Sequence, residues 1–229
     1  LDDRRAETIA ATAGEEALPQ LSPDGKWILY AFKPGPLPKP TDSLFRVPVG
    51  GGSPVQIDIS GPLDEFRCPL FGTGCILRET ISHKEFVYYA LDPVKGKGRE
   101  LGHTSWIPHI LGDWDVSPDG LTVALPYRDP VNRKIRIVPL GGKTEQLHEK
   151  EITVDAFAKL YGLTWAADGK GWYVSVQTDV GFSLLYVNLN GQSHLLRETV
   201  GGTWGVPSPD RRKLAFVDQT VDSNVWVLH

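Results

Sequence analysis

The sequence contains no methionine, only two cysteines, and no apolar run that approaches the length needed to cross a membrane. A membrane-spanning helix needs about 20 apolar residues, so we expect no membrane contact by this segment itself. Because no methionine could start translation, we expect the chain to be a processed product or a part of a longer protein. The net charge is only −4, whereas a nucleic-acid surface needs clustered Lys and Arg, so we expect no nucleic-acid partner.

The two cysteines, Cys68 and Cys75, flank a segment that contains Gly72-Thr73-Gly74. If residues 71–74 form a hairpin turn, the two side chains come within disulfide range. A pair of buried thiols, which are common in protein cores, is the alternative. A disulfide would favour an oxidising compartment.

Motifs of catalysis and of metal or cofactor binding are also missing. There is no Gly-x-Ser-x-Gly elbow, no His-Arg-Asp loop and no Asp-Phe-Gly motif, so neither a hydrolase nor a kinase centre is expected. The six histidines do not follow metal-ligand spacing, and the glycine pairs fall in predicted hairpin turns rather than at a strand-to-helix junction. We therefore predict that this chain is not an enzyme and has no catalytic residue, metal or cofactor.

Repetition is the main positive feature of the sequence. A tight turn recurs as Ser22-Pro23-Asp24-Gly25, Ser117-Pro118-Asp119-Gly120, Ala167-Asp168-Gly169 and Ser208-Pro209-Asp210. Its aspartates are 95, 49 and 42 residues apart, the first gap covering two periods. Later glycine turns, at Gly51, Gly96, Gly141 and Gly191, are 45, 45 and 50 residues apart. Because the aspartate recurs with the turn, we interpret it as structural rather than catalytic.

A period of about 46 residues that carries four strands predicts an all-β fold, a β-propeller built from four-stranded blades. We expect a single domain of about five blades, at residues 18–60, 65–102, 112–148, 161–198 and 203–229. The fifth blade is one strand short, so we predict that an N-terminal strand at residues 7–13 closes it. Six blades is the alternative, and an open array would expose sheet edges and favour a dimer.

Several segments resemble the WD40-like repeats of the TolB propeller family. They resemble still more the carboxy-terminal propeller of acidobacterial eukaryotic-like serine/threonine kinases and winged-helix regulators, in residues 66–69, 90–101, 163–171, 202–210 and 222–228. Arg211 stands where that family's turn usually has glycine, a departure that we expect the turn to tolerate. The resemblance implies a sensor or interaction propeller, the regulatory part of a larger, membrane-anchored signalling protein. We expect a periplasmic or otherwise extracytoplasmic location, with a cytoplasmic one as the alternative.

Candidate binding residues are those on loops at one face of the predicted propeller, where propeller sites are expected. A long loop between blades carries an aromatic and a histidine, Trp106 and His109. The loops between second and third strands carry Arg128, Asp129, Arg133, Asp179, Asp218 and Asp222. This mixed charge suits a protein or peptide partner. Two other functions are the alternatives: a propeller hydrolase or lactonase with a calcium ion in its channel, or the accessory propeller of an oligopeptidase.

Overall fold

A computed structural model describes residues 14–34, 43–61, 63–72, 74–106, 114–128, 133–141, 148–155 and 159–219 of the chain. Within these ranges the protein consists of β-strands, turns and loops, which form four four-stranded antiparallel sheets and one two-stranded sheet. The chain divides into two compact units. Unit 1 contains the first two sheets, and unit 2 contains the other three.

In unit 1, each sheet is a meander in which consecutive strands pair. The first sheet consists of β1 (Gly14–Leu21), β2 (Trp27–Pro34), β3 (Ser43–Pro48) and β4 (Val55–Ile57). The second consists of β5 (Glu65–Arg67), β6 (Cys75–Ile81), β7 (Glu85–Asp92) and β8 (Gly96–Ser105). Successive side chains along a strand point to opposite faces of its sheet, so one set of apolar side chains faces a core that the two sheets share. This core includes Leu29, Leu44, Phe66, Leu77 and Leu91.

Unit 2 repeats this arrangement. The third sheet consists of β9 (Asp115–Val116), β10 (Thr122–Arg128), β11 (Arg133–Pro139) and β12 (Lys150–Thr153). The fourth consists of β13 (Lys159–Trp165), β14 (Gly171–Thr178), β15 (Gly181–Asn188) and β16 (Ser193–Thr199), and the fifth of β17 (Thr203–Pro207) and β18 (Leu214–Asp218). The third and fourth sheets share a core that includes Ile135, Ile152, Leu163, Trp172 and Val187.

The recurring Ser-Pro-Asp turn joins the first two strands of its sheet through one set of hydrogen bonds. The Ser22 carbonyl accepts from the Gly25 N–H at 2.8 Å, and Ser22 Oγ accepts from the Trp27 N–H at 2.9 Å. Asp24 Oδ1 accepts from the Ser22 hydroxyl at 2.6 Å and from the Lys26 N–H at 3.1 Å. The two hydrogen bonds to Asp24, of which the one from the Ser22 hydroxyl has the larger effect, hold the pKa of Asp24 below its ordinary value of 3.8. The predicted structural role of the aspartate is confirmed.

The fifth sheet has the same turn with a different residue at its left-handed position. Arg211 has φ +63°, where Gly25, Gly120 and Gly169 have φ between +69° and +75°. The Arg211 N–H still donates to the Ser208 carbonyl at 3.0 Å, so the turn is kept. An L-residue in this conformation costs about 1–2 kcal/mol, which glycine avoids.

The later glycine turns have a second role, because two of them lie against the preceding sheet. A Cβ atom on Gly96 would be 2.0 Å from the Asp58 carbonyl oxygen, and one on Gly191 would be 2.0 Å from the Thr153 carbonyl oxygen. Backbone hydrogen bonds fix both contacts: Lys97 N–H to Asp58 O at 3.0 Å, and Asp155 N–H to Gly191 O at 2.9 Å. At Gly96 and Gly191, the turn glycine is therefore required by the packing of successive sheets.

Two expectations about the sheets need correction. Five four-stranded blades were predicted, but the structure has four, because the fifth sheet has only β17 and β18 among the described residues. The closing strand predicted at residues 7–13 lies outside the described residues. The first strand begins at Gly14 rather than at Leu18: Leu18 has φ +54° and lies at a register shift between Ala17 and Gln20, which interrupts the pairing without ending the strand.

Candidate functional site

The structure describes four of the predicted partner-binding residues with their side chains: Trp106, Arg133, Asp179 and Asp218. Arg128 is placed only by its backbone, which pairs with Arg133 where β10 and β11 meet. The other three predicted residues, His109, Asp129 and Asp222, lie outside the described residues.

A cleft of about 730 Å³ in unit 2 brings two of these residues together. Arg133 contributes from the start of β11, and Asp179 from the turn between β14 and β15. Asp155, just after β12, and Lys159, at the start of β13, add a second anion and a second cation to the rim. Two positive and two negative side chains therefore surround one opening.

The floor of the cleft is apolar because the core of the fourth sheet continues into it. Val176 and Leu185 lie on the side of the sheet that carries the core, and they are 2% and 8% exposed. Leu195, which pairs with Leu185 across β15 and β16, is 57% exposed and extends the floor outward. The Ser183 side chain lies opposite Val176 and adds a hydroxyl.

Backbone hydrogen bonds hold the rim in place. The Val154 N–H donates to the Arg133 carbonyl at 2.8 Å, which fixes the start of β11 to the end of β12. The Ser193 hydroxyl donates to the Asp155 carbonyl, which ties the third sheet to the fourth. The Thr178 hydroxyl donates to the Gly181 carbonyl at 3.2 Å and braces the turn that carries Asp179. Hydrogen bonds therefore stabilise the backbone that carries Arg133, Asp155 and Asp179.

The other two predicted residues have local roles. Trp106 is half-buried, and its indole lies edge-on to His83 with ring centroids 5.9 Å apart. The backbone N–H of Trp106 donates to the Lys84 carbonyl at 2.8 Å. Asp218 accepts from Arg197 Nη2 at 2.8 Å. Trp106 belongs to unit 1, and neither residue lines the cleft.

Sequence reasoning missed Asp155 and Lys159. Both flank the connection from the third sheet to the fourth. Such connections between blades lie on the same predicted face as the loops between second and third strands. Asp155 and Lys159 could have been predicted from this position alone. Their residue types give no signal, because single exposed charges occur throughout the sequence.

Cys68 and Cys75 are joined by a disulfide with a Cα–Cα distance of 4.2 Å. The bridge closes the connection between β5 and β6. The Cys68 N–H donates to Gln20 Oε1 at 3.3 Å, which anchors the bridge to the first sheet. Phe71, inside the closed loop, is exposed.

A polar cluster surrounds Glu151 in unit 2. Its carboxylate accepts from the Tyr127 hydroxyl and from Lys134 Nζ at 3.0 Å, and Arg136 Nη2 lies 3.3 Å away. The hydrogen bond from Tyr127 is the largest cause, and the one from Lys134 the second, of a Glu151 pKa below its ordinary value of 4.5. Burial raises the pKa of the Tyr127 hydroxyl, and its hydrogen bond to the Glu151 carboxylate raises that pKa further. The cluster has the composition of an ion-pair network across three strands.

Within the described ranges, no three His, Cys, Asp or Glu side chains are grouped so that they could hold a metal ion. The same part of the chain contains no helix that could span a membrane.

No protein-family model matches the chain, and neither does any curated protein. Solved structures do match. TolB from Acinetobacter baumannii has a TM-score of 0.63 at 15% identity, over 94% of this chain and 57% of that one. A chain of a nidogen/laminin complex has a TM-score of 0.55 at 12% identity, over 90% and 76%. The β-propeller domain of the trilobed protease from Pyrococcus furiosus has a TM-score of 0.52 at 11% identity, over 90% and 69%.

The chain thus spans little more than half the length of the TolB chain that it matches. At these identities the likeness concerns the fold. The resemblance to propellers of acidobacterial kinases stays a prediction, whereas the predicted TolB-like fold is confirmed: the chain has a β-propeller fold similar to that of TolB.

Proposed function

We propose that this chain is a non-enzymatic β-propeller that binds a protein or peptide partner in the unit 2 cleft. The observation that carries the proposal is the combination of an apolar floor, formed by Val176, Leu185 and Leu195, with a rim of two cations and two anions. A volume of about 730 Å³ lies in the range of small-ligand and peptide sites. An apolar centre inside a polar rim is also the usual composition of a protein interface.

A short extended peptide fits this arrangement best. Its alternate side chains point in opposite directions, so one apolar side chain can rest on the floor while charged neighbours meet the rim. Arg133 and Lys159 suit an acidic group of the peptide, and Asp155 and Asp179 suit a basic one. The similar fold in a nidogen/laminin complex supports a protein partner by analogy.

The experiment is to select peptides from a random displayed library on the immobilised chain and to measure their affinity by calorimetry. Arg133→Ala, Asp179→Ala and Leu195→Ser should each weaken a selected peptide about tenfold, because each removes a contact of the floor or rim. Glu198→Ala is the matched control, since Glu198 is exposed on β16 but does not line the cleft. Peptides that bind all four variants as tightly as the unmodified chain would contradict the proposed site.

We further propose that the chain is the sensor part of a larger signalling protein and that it works outside the cytoplasm. The Cys68–Cys75 disulfide supports this location, because disulfides persist in oxidising compartments. The test is to label free thiols in intact cells that express the natural protein. Cysteines that resist labelling until a reductant is added would support the proposal, and cysteines that react at once would refute it.

An accessory role in a peptidase is the second candidate, favoured by the structural likeness to the propeller of the trilobed protease. The sequence of the complete gene product distinguishes the two. A hydrolase domain joined to this chain would favour the peptidase role, and a kinase or winged-helix domain would favour the sensor role.

A further inference from the structure

The turn between β17 and β18 carries three consecutive cations, Arg211, Arg212 and Lys213, which we call the cationic turn. All three are exposed, and their side chains make no hydrogen bond or ion pair with a described residue. The matching turn of the first sheet has one lysine, Lys26, whose Nζ lies 3.9 Å from Asp24. The cationic turn is therefore a concentrated positive charge on a chain whose net charge is −4.

Arg211 occupies this turn at a cost to the fold. Its φ of +63° lies in the left-handed region that favours glycine, and the corresponding position in three other turns is glycine. The hydrogen bonds of the turn come from backbone atoms, Ser208 and Asp210, so a glycine at position 211 would keep them. Strain that the fold does not need is a reason to look for a role in binding.

An apolar strip lies on one side of the same sheet. Side chains alternate along β17 and β18, so Trp204, Val206, Ala215 and Val217 share one side. Trp204 and Val206 are 48% and 52% exposed, and the other two are exposed as well.

The opposite side of the fifth sheet packs on the fourth. There the ideal Cβ position of Gly205 lies 3.3 Å from Leu184 Cδ2. The apolar strip, on the other side, leaves about half of the Trp204 and Val206 side chains exposed.

We propose that the cationic turn and the apolar strip together bind an acidic protein segment that also carries apolar side chains. Opposite charge would attract and orient such a segment, and the apolar side chains would bury Trp204 and Val206. Three cations are fewer than the four to eight that a site for anionic lipid usually has, so a protein segment fits better than a membrane. The net negative charge also disfavours nucleic acid.

The surface is separate from the unit 2 cleft, since none of its residues lines that cleft. It therefore goes beyond the proposed function and can succeed or fail independently of it.

The probe is a fluorescein-labelled peptide in which Asp and Glu alternate with Leu, and its partner control has Lys at every acidic position. Fluorescence anisotropy is measured with the complete chain at several salt concentrations. We expect the acidic peptide to bind, the basic peptide not to bind, and the affinity to fall as salt rises. Replacing the cationic turn by Arg211→Gly, Arg212→Ser and Lys213→Ser should weaken binding about tenfold or more, as should Trp204→Ser.

Arg211→Gly alone separates binding from folding, because it should weaken the acidic peptide while raising the thermal midpoint. Arg133→Ala, in the cleft, should leave the acidic peptide unaffected. The proposal is overturned if both peptides bind equally or if the triple variant binds as well as the unmodified chain. Binding to vesicles of anionic lipid without binding to the acidic peptide would also overturn it.

Discussion

Replacing Gly191 by alanine should destabilise unit 2 more than replacing any exposed turn glycine. The turn between β15 and β16 lies so close to the third sheet that an added Cβ would sit 2.0 Å from the Thr153 carbonyl oxygen. That distance is far inside van der Waals contact, and the atom in the way is backbone rather than a flexible side chain. The turn and the third sheet would therefore have to move apart.

The expected loss has two parts. Alanine at a φ of +84° costs about 1–2 kcal/mol from the left-handed conformation alone. Moving the turn away also breaks the hydrogen bond from the Asp155 N–H to the Gly191 carbonyl, worth about 1 kcal/mol, and loosens packing between the two sheets. Together we expect the free energy of unfolding to fall by at least about 3 kcal/mol.

Gly51→Ala is the matched control. Gly51 has nearly the same φ, +85°, in the corresponding turn of the first sheet, but an added Cβ there would meet no atom within 4 Å. It should therefore cost only the conformational part, about 1–2 kcal/mol. Urea unfolding followed by circular dichroism gives both values. Equal losses in the two variants would show that this glycine is not needed for contact between sheets.

Three further predictions concern single features of the fold. Arg211→Gly should raise the free energy of unfolding by about 1 kcal/mol, and Gly25→Ala should lower it by a similar amount; urea midpoints that move in the same direction would contradict this. Replacing Cys68 and Cys75 together by serine should cost about 2.5 kcal/mol, measured against the oxidised chain, since the closed loop is short; no change on reduction would be the contrary result. Because the pKa of Glu151 lies below 4.5 in the folded state, its carboxylate stabilises the fold above that pH, and the contribution is lost as the pH falls through the folded-state value. Glu151→Gln should therefore reduce the drop in thermal midpoint between neutral pH and pH values below 4.5, and an unchanged drop would count against the ion-pair network.

The sequence was informative about the fold wherever a local rule acts. The Ser-Pro-Asp turn at Ser22 and its copies use hydrogen bonds within six residues, so the pattern alone predicts the hairpins. The bulge at Leu18 could not be predicted in this way, because no residue that usually adopts a left-handed conformation stands there. The role of Gly191 against Thr153 was also invisible, since it depends on packing between sheets.

For the candidate site, the sequence predicted on which loops the residues lie better than it predicted which residues they contact. Arg133 and Asp179 were chosen because they flank loops between second and third strands, and both line the cleft. Asp218 was chosen for the same reason, but Arg197 is its partner, from a strand 21 residues earlier in the chain. Long-range pairing of charges has no local signature. Leu185, which forms part of the apolar floor, likewise cannot be told from other core residues by its sequence pattern.

Hydrogen exchange with a library-selected peptide bound tests whether this propeller binds a peptide in the unit 2 cleft. We expect slower exchange of backbone amides at residues 176–179 and 193–195, which border the cleft, and no change at Arg211–Lys213. Protection confined to other parts of the chain, or none at saturating peptide, would contradict it.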